Sequence, residues 1–92
     1  MNIEWSNTAR RYYFNTAGYI KEEWGLKAVK AFRKDVNDAI KTIKSNPSAF
    51  PLSQKLDSRK CVINKHNILI YNVQNNTIYI EDFVNANTNH PY

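Results

Sequence analysis

The sequence predicts a small α+β domain in which an antiparallel helix hairpin packs on one face of a mainly antiparallel four-stranded sheet. Two successive stretches repeat apolar residues every three or four positions, as an amphipathic helix does. Three short runs rich in Val, Ile and Tyr follow them, and a short alternating run precedes them. The order is therefore β-α-α-β-β-β. With 92 residues, of which 42% are apolar, the chain can bury one core, so residues 1–92 form a single domain.

The first strand and the first helix are marked by a change of period. Residues 1–5, Met-Asn-Ile-Glu-Trp, alternate apolar and polar side chains, as a half-buried strand does. Ser6 or Asn7 is suited to cap a helix. Residues 8–24 then place five apolar side chains on one helical face, and Gly25 supplies the turn residue that ends the helix.

The second helix is predicted over residues 26–45. Pro47 ends it, because proline disfavours the helical conformation of the residue before it. A very short turn between two amphipathic helices makes an antiparallel hairpin. A loop over residues 46–58 follows, and we expect Phe50 and Leu52 to pin it to the core.

The remaining strands are predicted at residues 59–65, 67–73 and 77–83. Asparagines between them suit tight turns because Asn tolerates a positive φ, so these strands form an antiparallel meander. The first strand is expected to join the sheet beside a later strand, since alone it would be unpaired. The helix hairpin buries its apolar stripe against the single apolar face expected of this sheet.

The charge of +5 is unevenly distributed. All 13 Lys and Arg lie within residues 1–65, where the net charge is +7, whereas residues 66–92 carry −2. A basic body suggests a polyanionic or acidic partner. One cysteine excludes an internal disulfide and a multi-cysteine zinc site, and Cys61 is expected to be a small buried apolar residue. No apolar run approaches a membrane span, so we expect a soluble cytoplasmic protein that does not act at a membrane.

Several short motifs, in order along the whole chain, resemble one family. They are Trp5 at the end of the first strand, Trp24-Gly25 in the helix hairpin, Asn46-Pro47, Phe50-Pro51 and the run Arg59–Asn67. Leu69-Ile70-Tyr71, Asn76–Ile80, Phe83 and the ending Asn89-His90-Pro91-Tyr92 continue the match. Together they resemble the RelE/ParE superfamily of toxins from type II toxin–antitoxin systems.

The resemblance implies a growth-inhibiting toxin, of the kind involved in plasmid stabilisation, that is neutralised by a cognate antitoxin, a small and acidic protein. RelE-like members bind RNA and cut mRNA, usually in the ribosome, with no metal or cofactor. The 2′-OH of the substrate attacks the adjacent phosphate and leaves a cyclic phosphate. ParE-like members instead inhibit DNA gyrase by binding. A third hypothesis is that the protein is a degenerate, non-toxic member that still binds an antitoxin-like partner.

The candidate site residues also follow from the resemblance. His90, Tyr92, Arg59 and Tyr71 are the candidate catalytic residues. The candidate nucleic-acid or target-binding residues are Lys55, Lys60, Lys65, Arg10 and Arg11.

Two positions depart from the nuclease pattern. Relatives carry arginines where this chain has Ile68 and Asn87, and neither residue can supply a fixed positive charge to a phosphorane. Loss of such a charge-stabilising donor generally costs about 10²–10³ in rate.

Each candidate has a structural alternative. Arg59 can hold the sheet edge, Lys60 and Lys65 can be solvated, and Tyr71 can be a core residue with a hydrogen-bonded hydroxyl. His90 and Tyr92 can belong to a frayed or docked tail. A row formed by Lys27, Lys30 and Lys34 can be a solvated helix face or can meet an acidic or nucleic-acid partner.

Overall fold

The protein, described as a computed structural model over residues 1–55 and 57–92, consists of two helices on a four-stranded mixed sheet. The elements are β1 (Asn2–Trp5), α1 (Asn7–Trp24), α2 (Leu26–Ser45), β2 (Arg59–Val62), β3 (Asn67–Gln74) and β4 (Thr77–Asn85). The sheet order is β1-β4-β3-β2, with β1 parallel to β4 and the other pairs antiparallel. The predicted fold is confirmed, including the β1 pairing with a later strand. Leu56 of the predicted loop lies outside the described residues.

The helix hairpin forms for the local reasons that the sequence indicates. Ser6 is the N-cap of α1, and its Oγ accepts the N–H of Ala9 at 2.9 Å. Gly25 separates the helices with φ +90° and ψ −179°, a backbone conformation that residues other than glycine rarely adopt. Asn46 ends α2 one residue before Pro47. The two helices therefore return on each other through a single residue.

The helix-facing core combines both helices with one face of the sheet. From the sheet, Leu69, Tyr71 and Ile80 are fully buried, and Phe32 and Ile43 of α2 pack into the same cluster. Ile3 and Trp5 of β1 are half-buried against it, while Met1 is 41% exposed. Phe50 joins this core, with its ring centroid 6.2 Å from that of Tyr71.

Three local expectations need correction. Leu52 does not pin the loop to the core, because its side chain is 64% exposed. Strand β2 ends at Val62 rather than residue 65, since the Asn64 side chain accepts the N–H groups of His66 and Asn67 and closes a turn there. Strand β4 continues to Asn85, two residues beyond the predicted end.

The sheet also has a second apolar cluster on the face that the helices do not cover. Ile68 and Ile70 point to this helix-free face, and both are buried by Tyr92 with help from Val84 and Ala86. The expectation of a single apolar face was wrong. The tail that follows β4 folds back across β3 and covers this face in place of a helix.

Truncation of Leu69 tests the helix-facing core. Leu69→Ala removes a fully buried side chain, so we expect a loss of about 2–5 kcal/mol in the free energy of unfolding. Urea denaturation followed by circular dichroism measures it. Leu52→Ala is the matched control, and its exposed side chain should change stability by less than about 0.5 kcal/mol. Equal losses would contradict this core assignment.

Candidate functional site

An irregularity in β4 creates the most polar region of the helix-free face. The β3–β4 register shifts between Ile70 and Tyr71, so that Ile70 pairs with Asp82 while Tyr71 pairs with Ile80. Glu81 is the extra residue of this bulge. A bulge breaks the alternation of a strand and re-aims a side chain. Consequently the consecutive residues Glu81 and Asp82 both contact groups on the helix-free face.

The Glu81 carboxylate is held by two donors. Ser58 Oγ donates to its Oε1, and Lys55 Nζ donates to its Oε2 at 3.2 Å. Burial alone would raise the pKa of Glu81. These hydrogen bonds and the charge of Lys55 outweigh burial and hold that pKa below its usual value. Glu81 is therefore an ionised carboxylate at neutral pH. A cavity of about 440 Å³ opens beside it, lined also by Lys55 and Asn72.

Tyr92 contacts the second carboxylate of the bulge, Asp82, and both lysines of this face. Its hydroxyl donates to Asp82 Oδ2 at 2.7 Å, and its carbonyl accepts from Lys60 Nζ at 3.2 Å. Lys55 Nζ lies 5.9 Å from the ring centroid, within cation–π range. Burial, together with the hydrogen bond to Asp82 and its charge, raises the pKa of Tyr92 to about 12. The Tyr92 hydroxyl is thus a fixed donor that stays protonated at neutral pH.

His90 lies on the other side of Tyr92. The two rings are stacked with centroids 6.0 Å apart, and His90 Nδ1 accepts the backbone N–H of Tyr92 at 3.3 Å. The other ring nitrogen of His90, Nε2, takes no part in this hydrogen bond. His90, Asp82 and Tyr92 line one wall of a groove of about 840 Å³ between the tail and α1.

Two of the candidate catalytic residues lie elsewhere. Tyr71 is fully buried in the helix-facing core, and its hydroxyl donates to the Pro47 carbonyl at 2.7 Å. Burial raises its pKa to about 12, although the nearby Arg59 charge opposes this. Arg59 donates to the Phe50 carbonyl at 2.8 Å and to Ser48 at 3.3 Å. Both residues tie the loop before β2 to the sheet, and Tyr71 does so as a core residue with a hydrogen-bonded hydroxyl.

The remaining candidates divide by position. Lys55 and Lys60 join His90 and Tyr92 around the helix-free face. Lys65 lies exposed in the β2–β3 turn, and Arg10 and Arg11 lie exposed on α1, away from this cluster. The structure adds Glu81, Asp82 and Ser58 to the site, and none of them was predicted from the sequence. A run of two carboxylates within an otherwise apolar strand is the signal that could have indicated them.

The described residues contain no group of three or more His, Cys, Asp or Glu side chains that could hold a metal ion. Cys61 is 1% exposed, and burial raises its pKa to about 11, so this thiol is unreactive at neutral pH. Neither α1 nor α2 is long and apolar enough to cross a membrane.

Comparison with solved structures places the fold among toxins. A structure of the chromosomal ParDE toxin–antitoxin system of P. aeruginosa matches with a TM-score of 0.77 and 15% identity, covering 92% of this chain and 95% of that one. The YoeB dimer from Staphylococcus aureus matches with a TM-score of 0.65 and 22% identity, covering 91% and 94%. A YoeB/ParE toxin from Agrobacterium tumefaciens gives 0.67 and 14%, covering 92% and 98%.

One of the similar structures is a YoeB–YefM complex from S. aureus, with a TM-score of 0.60, 23% identity and coverage of 91% and 94%. No protein-family model and no curated protein matches the sequence. At these identities the likeness establishes the fold: the chain has the fold of the ParE and YoeB toxins, as the motif resemblance implies.

The pH dependence of stability tests the state of Glu81. Because its pKa is depressed in the folded state, its contribution is present above its unfolded pKa and is lost as pH falls through the folded value. Glu81→Gln should cost about 1–3 kcal/mol at pH 7, since it weakens charge-assisted hydrogen bonds. The difference from wild type should shrink below about pH 4. Urea unfolding at several pH values measures both.

The matched control for this experiment is Glu22→Gln, which alters an exposed carboxylate on α1. It should change stability by less than about 0.5 kcal/mol at either pH. A gap between wild type and Glu81→Gln that stays constant from pH 7 to acid would contradict a depressed pKa.

Proposed function

We propose that this protein is the toxin of a type II toxin–antitoxin system and that it cleaves RNA on its helix-free face. One observation supports this most directly. Lys55 lies over the Tyr92 ring and 3.2 Å from the ionised carboxylate of Glu81, and the His90 imidazole stacks on the same Tyr92 ring. RNA cleavage through the 2′-OH needs a base, a cation and an acid, and these are the three groups.

Each residue takes one part in the proposed reaction. Glu81 accepts the proton of the 2′-OH, whose oxygen then forms a bond to the adjacent phosphorus. Lys55, with Lys60 behind it, stabilises the charge that develops on the phosphorane oxygens. His90 gives a proton from Nε2 to the departing 5′-oxygen as the P–O5′ bond breaks, and protonation of the ring for this step requires the Nδ1 bond from the Tyr92 N–H to open. The products are a 2′,3′-cyclic phosphate and a free 5′-hydroxyl.

Lysines on this face would replace the arginines that the sequence lacks. Ile68 is buried under Tyr92, and Asn87 is exposed with its amide 3.4 Å from His66. Neither position contributes charge, so Lys55 and Lys60 are the cations available there. The proposed enzyme therefore holds phosphate with point charges rather than with bidentate guanidinium groups.

The partner proposed with this function is a small acidic antitoxin. Complexes of this kind are described for S. aureus YoeB with YefM. The basic character of residues 1–65, together with exposed Arg10, Arg11 and Lys65, supports an acidic partner here. Coexpression with the neighbouring reading frame should restore growth to cells in which the toxin alone stops it.

Substitution of the three proposed catalytic residues tests the reaction. Lys55→Ala should lower the RNA cleavage rate about 10²–10³-fold, and Glu81→Gln and His90→Ala about 10²–10⁴-fold. The assay is single-turnover cleavage of a labelled mRNA, in the presence and absence of ribosomes, with 5′ ends mapped. Lys21→Ala, on the exposed surface of α1, is the control and should cleave as wild type does. Growth arrest with no new 5′ ends would contradict the nuclease.

A second function, gyrase inhibition by binding, is favoured by one specific observation. Tyr92 and the tail cover Ile68 and Ile70, so part of the helix-free face is closed. A toxin that acts by binding needs no open catalytic face. In that case purified protein should block supercoiling by gyrase, and Glu81→Gln should inhibit as strongly as wild type. Normal supercoiling at excess toxin would exclude this function.

A further inference from the structure

The outer face of α2 carries a concentration of positive charge that the helix-free site does not use. Of the residues in Leu26–Ser45, six are Lys or Arg and two are Asp, which gives +4 of the total +5. At 3.6 residues per turn, all six cations fall within an arc of about 120° that flanks the side of α2 packed into the core. We call this surface the α2 ridge; its members are Lys27, Lys30, Arg33, Lys34, Lys41 and Lys44, and all are exposed.

Most of this charge is free to meet a ligand. Among the described residues, the structure pairs only Lys34 of the ridge with a carboxylate, that of Asp38 at 2.8 Å. The charges form two clusters along the helix axis. With a rise of about 1.5 Å per residue, the ridge is about 25 Å long, and a gap of about 10 Å separates Lys34 from Lys41. The exposed amide of Asn37 lies in that gap.

The composition of the ridge favours a polyanion over a protein partner. Protein interfaces are anchored by aromatic or aliphatic side chains and are depleted in lysine. Apart from Leu26 at the very start of α2, the outward face between Lys27 and Lys44 presents no large apolar side chain. The phosphate backbone of a nucleic acid needs only well-spaced cations.

The spacing of the two clusters favours double-helical RNA. A gap of about 10 Å is too long for the B-DNA minor groove of about 6 Å, and the B-DNA major groove is read by side chains inserted to the base edges. A-form RNA has a wide, shallow minor groove that a convex surface can cross without inserting. We infer that the α2 ridge is a docking surface for duplex RNA, with one cation cluster on each backbone.

This inference rests on the proposed action on RNA and adds an anchor to it. The ridge lies on the helix layer and the catalytic cluster on the opposite face of the sheet, so one short strand does not reach both. The anchoring duplex and the cleaved strand are therefore separate segments of a folded RNA or of an RNA-containing assembly.

Binding of a labelled 20-base-pair RNA duplex tests the inference. Glu81→Gln protein, followed by fluorescence anisotropy from about 50 to 200 mM salt, should show log K falling with log salt at a slope of about −4. Lys30→Glu and Lys41→Glu, each in one cluster, should weaken binding about fivefold or more and reduce that slope by at least about 1. Lys21→Glu makes the same charge change on α1 and should weaken binding less than about twofold.

Three results would overturn the inference. Equal weakening by all three charge reversals would mean that only net charge matters. A DNA duplex of the same sequence bound as tightly as the RNA would exclude recognition of A-form shape. Displacement of the RNA by a polyglutamate peptide bound through the same two lysines would make the ridge a site for an acidic protein.

Duplex binding by the α2 ridge and cleavage by the catalytic cluster can be tested independently of each other. Ridge variants should cleave a short single strand at the wild-type rate, because the catalytic cluster is untouched. Conversely, a wild-type rate for Glu81→Gln would remove the proposed chemistry while the duplex affinity stands on its own measurement.

Discussion

Strand β3 is buried on both faces, although the fold has only one layer of helices. The five residues Asn67–Tyr71 are all buried, and their side chains point alternately to the helix side and to the helix-free side. Apolar side chains on the second face must be removed from water by something else. The tail does this by laying Tyr92 over Ile68 and Ile70. The position of the tail follows from this requirement.

The same requirement explains why the helix-free face carries chemistry and apolar packing side by side. The Tyr92 ring packs in the apolar cluster, while its hydroxyl and carbonyl form hydrogen bonds, as is usual for a buried tyrosine. Lys55, Lys60 and Asp82 surround its polar atoms, and the bulge brings Glu81 next to Lys55. Charged groups placed beside an apolar cluster are less screened than groups in free solution.

Local signals in the sequence were sufficient for the layout of the fold. The bounds of α2, the Gly25 break and the turn at Asn75-Asn76 follow the prediction, and of the two predicted cap residues, Ser6 and Asn7, Ser6 is the cap. These features depend on neighbouring residues alone. The bulge at Glu81 was not predictable in this way, because register is set by pairing with β3 rather than by the strand itself. The unbroken apolar run from Ile68 to Ile70 indicates burial on both faces, which the prediction of a single apolar face does not include. Of the candidate site residues, three gather around Tyr92, itself a candidate. The roles of Tyr71 and Arg59 depend on loop contacts that no local pattern specifies.

Ser6 joins the two ends of the chain through a single hydroxyl. Its Oγ accepts from Ala9 at the start of α1 and donates to the carbonyl of Glu81, a residue 75 positions away. Among the described residues, strand β1 likewise pairs only with β4. During synthesis, which adds roughly 5–20 residues each second, the first strand emerges long before its partner exists. The pairing of β1 and the Ser6–Glu81 hydrogen bond are thus completed only after β4 is available. A nascent chain of this protein cannot assemble its helix-free cluster before β4 and the tail have left the ribosome.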